Sequence, residues 1–158
     1  MDYEINRNTI MIIPVNDKQS RVIETDTEYI VDDDAYSIME RSCLYFGSSF
    51  EGRLSSSKEM LGSIYKAPIL IEESRNIIFF PIKSCVVRQN AWISLNNLVS
   101  YNKHDKKTIV TFKNDKQMLI DAPYFSIDNQ VLRSTMLESI LRRRRNEEET
   151  SKKNDFIS

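Results

Sequence analysis

Two periods govern the apolar positions of this chain. Thr9 to Val15 is a β-branched and apolar run, which predicts a strand ending near Pro14. Arg21 to Glu24 and Glu28 to Val31 alternate polar with apolar residues around Thr25-Asp26-Thr27, as paired strands do. At Asp34 the period changes. Ala35, Ile38, Met39, Ser42 and Phe46 fall at helical spacing and predict a helix over about 34–46. Ser55 to Glu59 reads as the start of a short helix that Gly62 stops. Ala67 to Ile71 and Ile77 to Phe80 read as a strand pair joined by a turn at Glu72 to Asn76, and Pro81 ends the second strand or puts it at an edge. Ala91 to Val99 is an apolar run to be buried, with Trp92 as its anchor, and Asn102 to Lys107 is a charged loop. Thr108 to Lys113 and Gln117 to Ile120 predict a hairpin around Asn114-Asp115-Lys116. Pro123 breaks the pattern, and Ser126 caps a last helix to about Arg145 with Leu132, Met136, Leu137, Ile140 and Leu141 as its apolar stripe.

The expected fold is α+β: a mostly antiparallel sheet packed with two to three helices, one domain over 1–145, then a polar, flexible tail over 146–158. A chain of 158 residues is long enough for one real core. Three glycines and four prolines exclude a loop-rich chain. No apolar run approaches the length of a membrane span, and the N-terminus lacks a signal-peptide core, so the expected location is cytoplasmic. Cys43 and Cys85, without C-x-x-C spacing, suit a reducing compartment.

Charge changes the picture. The formal net charge is −1, but residues 1–40 hold ten acids against three bases. Residues 41–145 hold nine acids against 17 bases, and 146–158 four acids against two bases. A basic body between acidic ends permits nucleic-acid binding, because binding follows the local field.

The most informative stretch is Glu40 to Arg53, ERSCLYFGSSFEGR. Gly47 fits the left-handed position that closes a helix. Ser48 and Ser49 offer hydroxyls and N–H groups just past it. Gly52 allows a close backbone approach or a kink. Arg41 and Arg53 bracket the segment with positive charge. Asp32, Asp33 and Asp34 read as a helix cap, with a metal site as the other reading, which no clustered His or Cys supports. No cofactor motif is present: neither a Walker loop nor G-x-G-x-x-G. Catalysis finds little material. Gly47 to Glu51 fails the G-x-S-x-G pattern at its fifth position. The lone histidine, His104, sits in a charged loop, and Cys43 reads as a buried thiol filling a helix face. A non-enzyme is expected, with a small Cys- or Ser-dependent hydrolase as the remote alternative.

The same stretch resembles the signature of the ComK family of bacterial competence transcription factors, through Glu40, Ser42, Cys43, Tyr45, Phe46, Gly47, Ser48, Ser49, Phe50, Gly52 and Arg53. The resemblance continues through KAPILIEESRNIIFFPIKS, AWISL at 91–95 and DNQVLRS at 128–134. It implies a regulator of competence or DNA-uptake genes that binds paired A/T-rich boxes through the minor groove of double-stranded DNA, located on the nucleoid, and assembles as dimers that pair into tetramers. Residues nominated for DNA contact are Arg41, Ser48, Ser49, Arg53, Lys58, Lys66, Lys83 and Arg88. Serine hydroxyls, N–H groups and cations are what phosphate oxygens accept from. By residues alone, Arg41 and Arg53 in surface ion pairs beside a structural helix end is the competing reading. Arg142 to Arg145 reads first as cations at a helix C-terminus paired with Glu147 to Glu149, and second as a phosphate contact. Many relatives carry a longer C-terminal region with a motif for a proteolytic adaptor. Here the tail has only Phe156 and Ile157 as apolar residues. A short paralogue competing with a full activator, or a protein-interaction module without DNA binding, is therefore the alternative.

Overall fold

The computed structural model describes residues 2–62 and 64–157. Strands β1 (Thr9–Asn16), β2 (Gln19–Glu24) and β3 (Glu28–Val31) open the chain. Helices α1 (Ala35–Tyr45) and α2 (Phe50–Leu61) follow. Then come β4 (Ile69–Glu72), β5 (Ile77–Pro81), β6 (Trp92–Ser94), β7 (Leu98–His104), β8 (Lys107–Phe112) and β9 (Gln117–Ile120). Helix α3 (Tyr124–Ile157) closes it. Six strands form one sheet in the order β3-β2-β1-β6-β5-β4, and β7-β8-β9 form another. The pairings in both are antiparallel. This is the expected α+β architecture, with three helices among the described residues.

The large sheet is buried on both faces except along β3, where Glu28, Tyr29 and Ile30 are exposed. On one face Ile12, Val22, Phe79 and Trp92 pack with Ile38, Met39 and Cys43 of α1 and Phe50 of α2. On the other, Met11, Ile23, Phe80 and Ile93 pack with Val110 and Phe112 of β8, Ile120 of β9 and Ile127 of α3. A smaller cluster joins Leu137 of α3 to Leu70 and Ile78. A strand covered on both sides reads as a continuous apolar run, which is why β4 and β5 show no alternation.

Several boundaries differ from the sequence expectation, each for a local reason. β1 runs past Pro14 to Asn16, because β6 pairs with β1 only at Met11 and Ile12, leaving Pro14 without a partner on that side. The apolar run 91–99 is two strands in different sheets, β6 and β7, turned at Leu95 to Asn97. The charged stretch 102–107 is not a loop: Lys103 pairs with Thr108 and His104 with Lys107, so β7 and β8 meet at a tight turn with Asp105 at φ 54°. α2 begins at Phe50 rather than Ser55, because Ser49 is its cap and accepts from the Gly52 N–H at 3.0 Å. Gly52 is therefore the site of a close backbone approach, to the capping serine, and not a kink. A Cβ there would come within 2.9 Å of the Ser49 hydroxyl. α3 begins directly after Pro123, with Ser126 inside its first turn. It continues past Arg145 to Ile157, since no glycine or proline interrupts it, and Glu138–Arg142 and Glu148–Lys152 pair one turn apart. Its expected stripe is split. Leu137 is buried, but Leu132 and Met136 are 60% and 56% exposed, because the five residues cover nearly half the helix circumference and the body covers only part of it.

α1 ends as its glycine requires. Gly47 has φ +85°, its N–H donates to the Leu44 carbonyl, and the Ser48 N–H donates to the Cys43 carbonyl, both at 3.0 Å. No atom lies within 4 Å of a Cβ built at Gly47, so the cost of a side chain there is backbone strain alone. Gly47→Ala is expected to lose about 1 kcal/mol and Gly47→Val more. Urea denaturation checks this, and unchanged stability of Gly47→Val would refute the capping role.

Candidate nucleic-acid interface

The acidic run before α1 is fully engaged. Asp34 caps the helix, accepting from the Ser37 N–H at 2.7 Å. Its other oxygen accepts from Arg88, at 2.9 Å and 3.0 Å, and the Arg88 guanidinium lies 4.6 Å from the centre of the Tyr36 ring. Asp33 pairs with Arg41 at 2.6 Å, and Asp32 accepts from Gln19. Burial pushes the Asp34 carboxyl up, but the bonds from Ser37 and Arg88 outweigh it and hold the group below the usual carboxylate range. Two nominated residues, Arg41 and Arg88, thus each hold an acid at the head of α1.

A second group sits at the α1–α2 corner. Ser48 spends its hydroxyl on the Cys43 carbonyl at 3.2 Å, and Ser49 spends its own on the α2 cap. Arg53 donates from Nε to the Ser48 hydroxyl at 3.0 Å, and forms no ion pair among the described residues. Its charge is felt by the Cys43 thiol, but burial dominates and pushes that thiol up to about 12. Cys43 is fully buried in the first core cluster, whereas His104 lies exposed at the tip of β7 in the other sheet. They do not form a nucleophile and base.

The third group surrounds the connection from β5 to β6, residues 82–91. Asn90 is fully buried and holds this connection shut. Its Oδ1 accepts from the Lys83 N–H at 2.9 Å, and its Nδ2 donates to the Lys83 and Ser84 carbonyls. The Cys85 N–H donates to the Tyr65 carbonyl and its thiol to the Ala67 carbonyl, which pins the connection against the segment carrying Lys66. The charge of Lys58, on α2, also reaches the Cys85 thiol. Lys58, Lys66 and Lys83 have no ion-pair partner among the described residues. Lys83 and Arg88 lie on this connection, Lys66 on the segment pinned against it, and Lys58 on α2. Sequence reasoning missed what they surround: Val86 and Tyr65 are 80% and 86% exposed.

Among the described residues the arginine run at 142–145 makes no ion pair with Glu147 to Glu149, contrary to expectation. Arg142 turns back to Glu138 at 2.9 Å, and Arg145 donates to the Glu73 carbonyl. In a continuing helix an arginine four residues before a glutamate is the weaker orientation, and one four residues after it the better.

The family model described as ComK protein matches residues 1–146. The chain belongs to the ComK family. A relative in Bacillus subtilis (strain 168), described as a competence transcription factor, is 35% identical over 141 residues, covering 87% of this chain and 73% of the relative. No solved structure gives a significant match. In this ComK-family chain the stretch Glu40 to Arg53 is a helix end, a corner and a helix start. Its glycines and serines are used by the backbone. Among the described residues no helix is long and apolar enough to cross a membrane.

The cap and the ion pair at Asp34 separate by mutation. Asp34→Ala removes both, at about 1 kcal/mol for the cap. Asp34→Asn keeps a capping oxygen and removes the charge. A carboxylate held below its unfolded value stabilises above that value and loses the contribution as pH falls through the folded one. Wild type is therefore expected to exceed Asp34→Asn in stability near pH 7 and to lose that advantage below about pH 4. Urea midpoints across this range check it.

Proposed function

We propose that this chain is a DNA-binding regulator of transcription that acts on competence or DNA-uptake genes and reads A/T-rich boxes through the minor groove. Family membership over residues 1–146 is the observation that carries the reading. The name of the Bacillus subtilis relative supports it, as do the cations Arg53, Lys58, Lys66 and Lys83, which have no ion-pair partner among the described residues. Lysines and arginines free of carboxylates are available to release counterions from phosphates. The buried Cys43 thiol and the exposed His104 lie in different parts of the fold and do not form a nucleophile and base.

The test is a salt titration of binding to A/T-rich and G/C-rich duplexes. Tight, salt-dependent binding with A/T preference is expected, and no binding to either duplex would refute the reading. Within it, Arg53→Ala distinguishes two contacts. A phosphate contact lowers the salt slope by about 0.9 and weakens both duplexes alike. A groove contact reduces the A/T preference instead. Wild-type behaviour of folded Arg53→Ala would make Arg53 structural.

The same reading includes a symmetric dimer, matching paired boxes on DNA. Trp92, at 1% exposure, contributes nothing to such a surface. The exposed side of α3 does: Phe125, Leu132 and Met136 stand at i, i+7 and i+11, at 73%, 60% and 56% exposure. Light scattering is expected to show more than the 18.5 kDa monomer at micromolar concentration, and Leu132→Glu to shift the mass toward it. A wild-type monomer both with and without DNA would refute the dimer.

A further inference from the structure

Val86 is out of place for an apolar residue. It sits in the third position of a tight turn, closed by the Val87 N–H donating to the Ser84 carbonyl at 3.0 Å. The turn cannot collapse to hide it. Asn90 fixes the segment entering the turn through three hydrogen bonds, and the Ile82 N–H donates to the Ala91 carbonyl across its base. Cys85, immediately before Val86, is buried and anchored on both its N–H and its thiol. The fold thus holds a β-branched side chain rigidly in water, at 80% exposure.

A single exposed apolar residue needs no explanation. Val86 is not single. Tyr65, at 86% exposure, is tied to the same turn through its own carbonyl, and Val87 is 36% exposed. Cations flank this tip: Lys83 three residues before Val86, Lys66 beside Tyr65, and Lys58 within electrostatic reach of Cys85. The nearest arginine, Arg88, is occupied by Asp34, so that carboxylate is neutralised. Glu51 supplies the one carboxylate in the lining of the hollow beneath Val86.

An apolar point between lysines fits one partner chemistry in particular. The minor groove is about 6 Å wide, too narrow for a helix but open to a loop. Its walls are phosphates, and its floor presents stacked bases. Proteins that enter it commonly push an apolar side chain between two base pairs and hold both backbones with cations. We propose that Val86 is an apolar wedge that enters a base step of A/T-rich DNA and bends the duplex, with Lys58, Lys66 and Lys83 on the flanking phosphates. This rests on the reading of the chain as a DNA-binding regulator and gives that reading a point of entry. The flexible steps of A/T-rich sequence, TA above all, are the easiest to unstack, so the wedge contributes to selectivity without a base hydrogen bond.

The experiment uses the full chain and an A/T-rich duplex labelled at both ends for energy transfer, with a fluorescent adenine analogue at a TA step. Wild type is expected to bring the ends together and to raise the analogue's fluorescence by unstacking it. Val86→Ser, which changes an exposed position, is expected to keep the wild-type melting temperature and salt slope. It should lose the bend and the fluorescence rise, and bind A/T-rich duplex about tenfold more weakly. Val86→Leu, a larger apolar wedge, should retain bending. The opposite results overturn the proposal in distinguishable ways. Wild type that binds without bending, or Val86→Ser that bends like wild type, removes the wedge and leaves DNA binding intact. Val86→Ser that keeps its DNA affinity but loses self-association makes the tip a protein contact. Wild type that binds no duplex removes the wedge and the DNA reading together.

Discussion

Everything in this molecule depends on a sheet whose central strands have no solvent face. Phe79 and Phe80 are neighbours in the chain and fully buried, yet they lie in different cores. α1 and α2 cover one side, and the β7–β9 sheet with α3 covers the other. Neither cover is optional, because each shields an aromatic whose truncation costs roughly 3–5 kcal/mol. The short strands β4, β5 and β6 are held by packing from above and below as much as by their hydrogen bonds.

Burying a sheet on both faces creates a polar problem at its ends, where turns must also be dry. Asparagines solve it. Asn97 donates to the carbonyls of Arg7 and Thr9 and to the Ser94 hydroxyl, while its own carbonyl accepts from the Lys113 N–H. One residue thus ties the first strand, the turn leaving the large sheet and the end of β8. Asn96 satisfies the Ile78 N–H and the Asn76 carbonyl nearby. Asn90 does the same work at the opposite end of β6. Buried backbone groups need partners, and side-chain amides provide both a donor and an acceptor where no strand can.

What could be read from the residues was what is locally encoded. Asp34 and Gly47 bound α1 through their own geometry, and the hairpin over 108–120 announced itself by its turn. Family resemblance was legible in Glu40 to Arg53. The start of α2 was not, since Ser49 and Ser55 are equally good caps on paper and only the packing of Phe50 against Tyr36 and Trp92 decides between them. The run 91–99 concealed a change of sheet, because apolar character says that a segment is buried and not where. The charged stretch 102–107 concealed a strand pair, because an exposed ribbon carries charge without ceasing to be a ribbon. The tip at Val86 was invisible for a related reason. Pattern assigns a valine to the core, and only the long-range bracing by Asn90 and Cys85 turns it outward. The nominated cations divided in the same way: a charge is visible in sequence, but whether a carboxylate already holds it is a fact of the fold.

The two cysteines carry a consequence for the cell's chemistry. Both are free and buried, and burial pushes their thiols up to about 12 for Cys43 and about 11 for Cys85. Peroxides and disulfide exchange act on an accessible thiolate, and burial disfavours that form. Cys85 adds a second lock, since its S–H is engaged with the Ala67 carbonyl. Burial therefore shields both sulfurs from oxidants while the fold is intact. Their role is volume and anchorage, and oxidative stress is not a signal that this protein can receive through them.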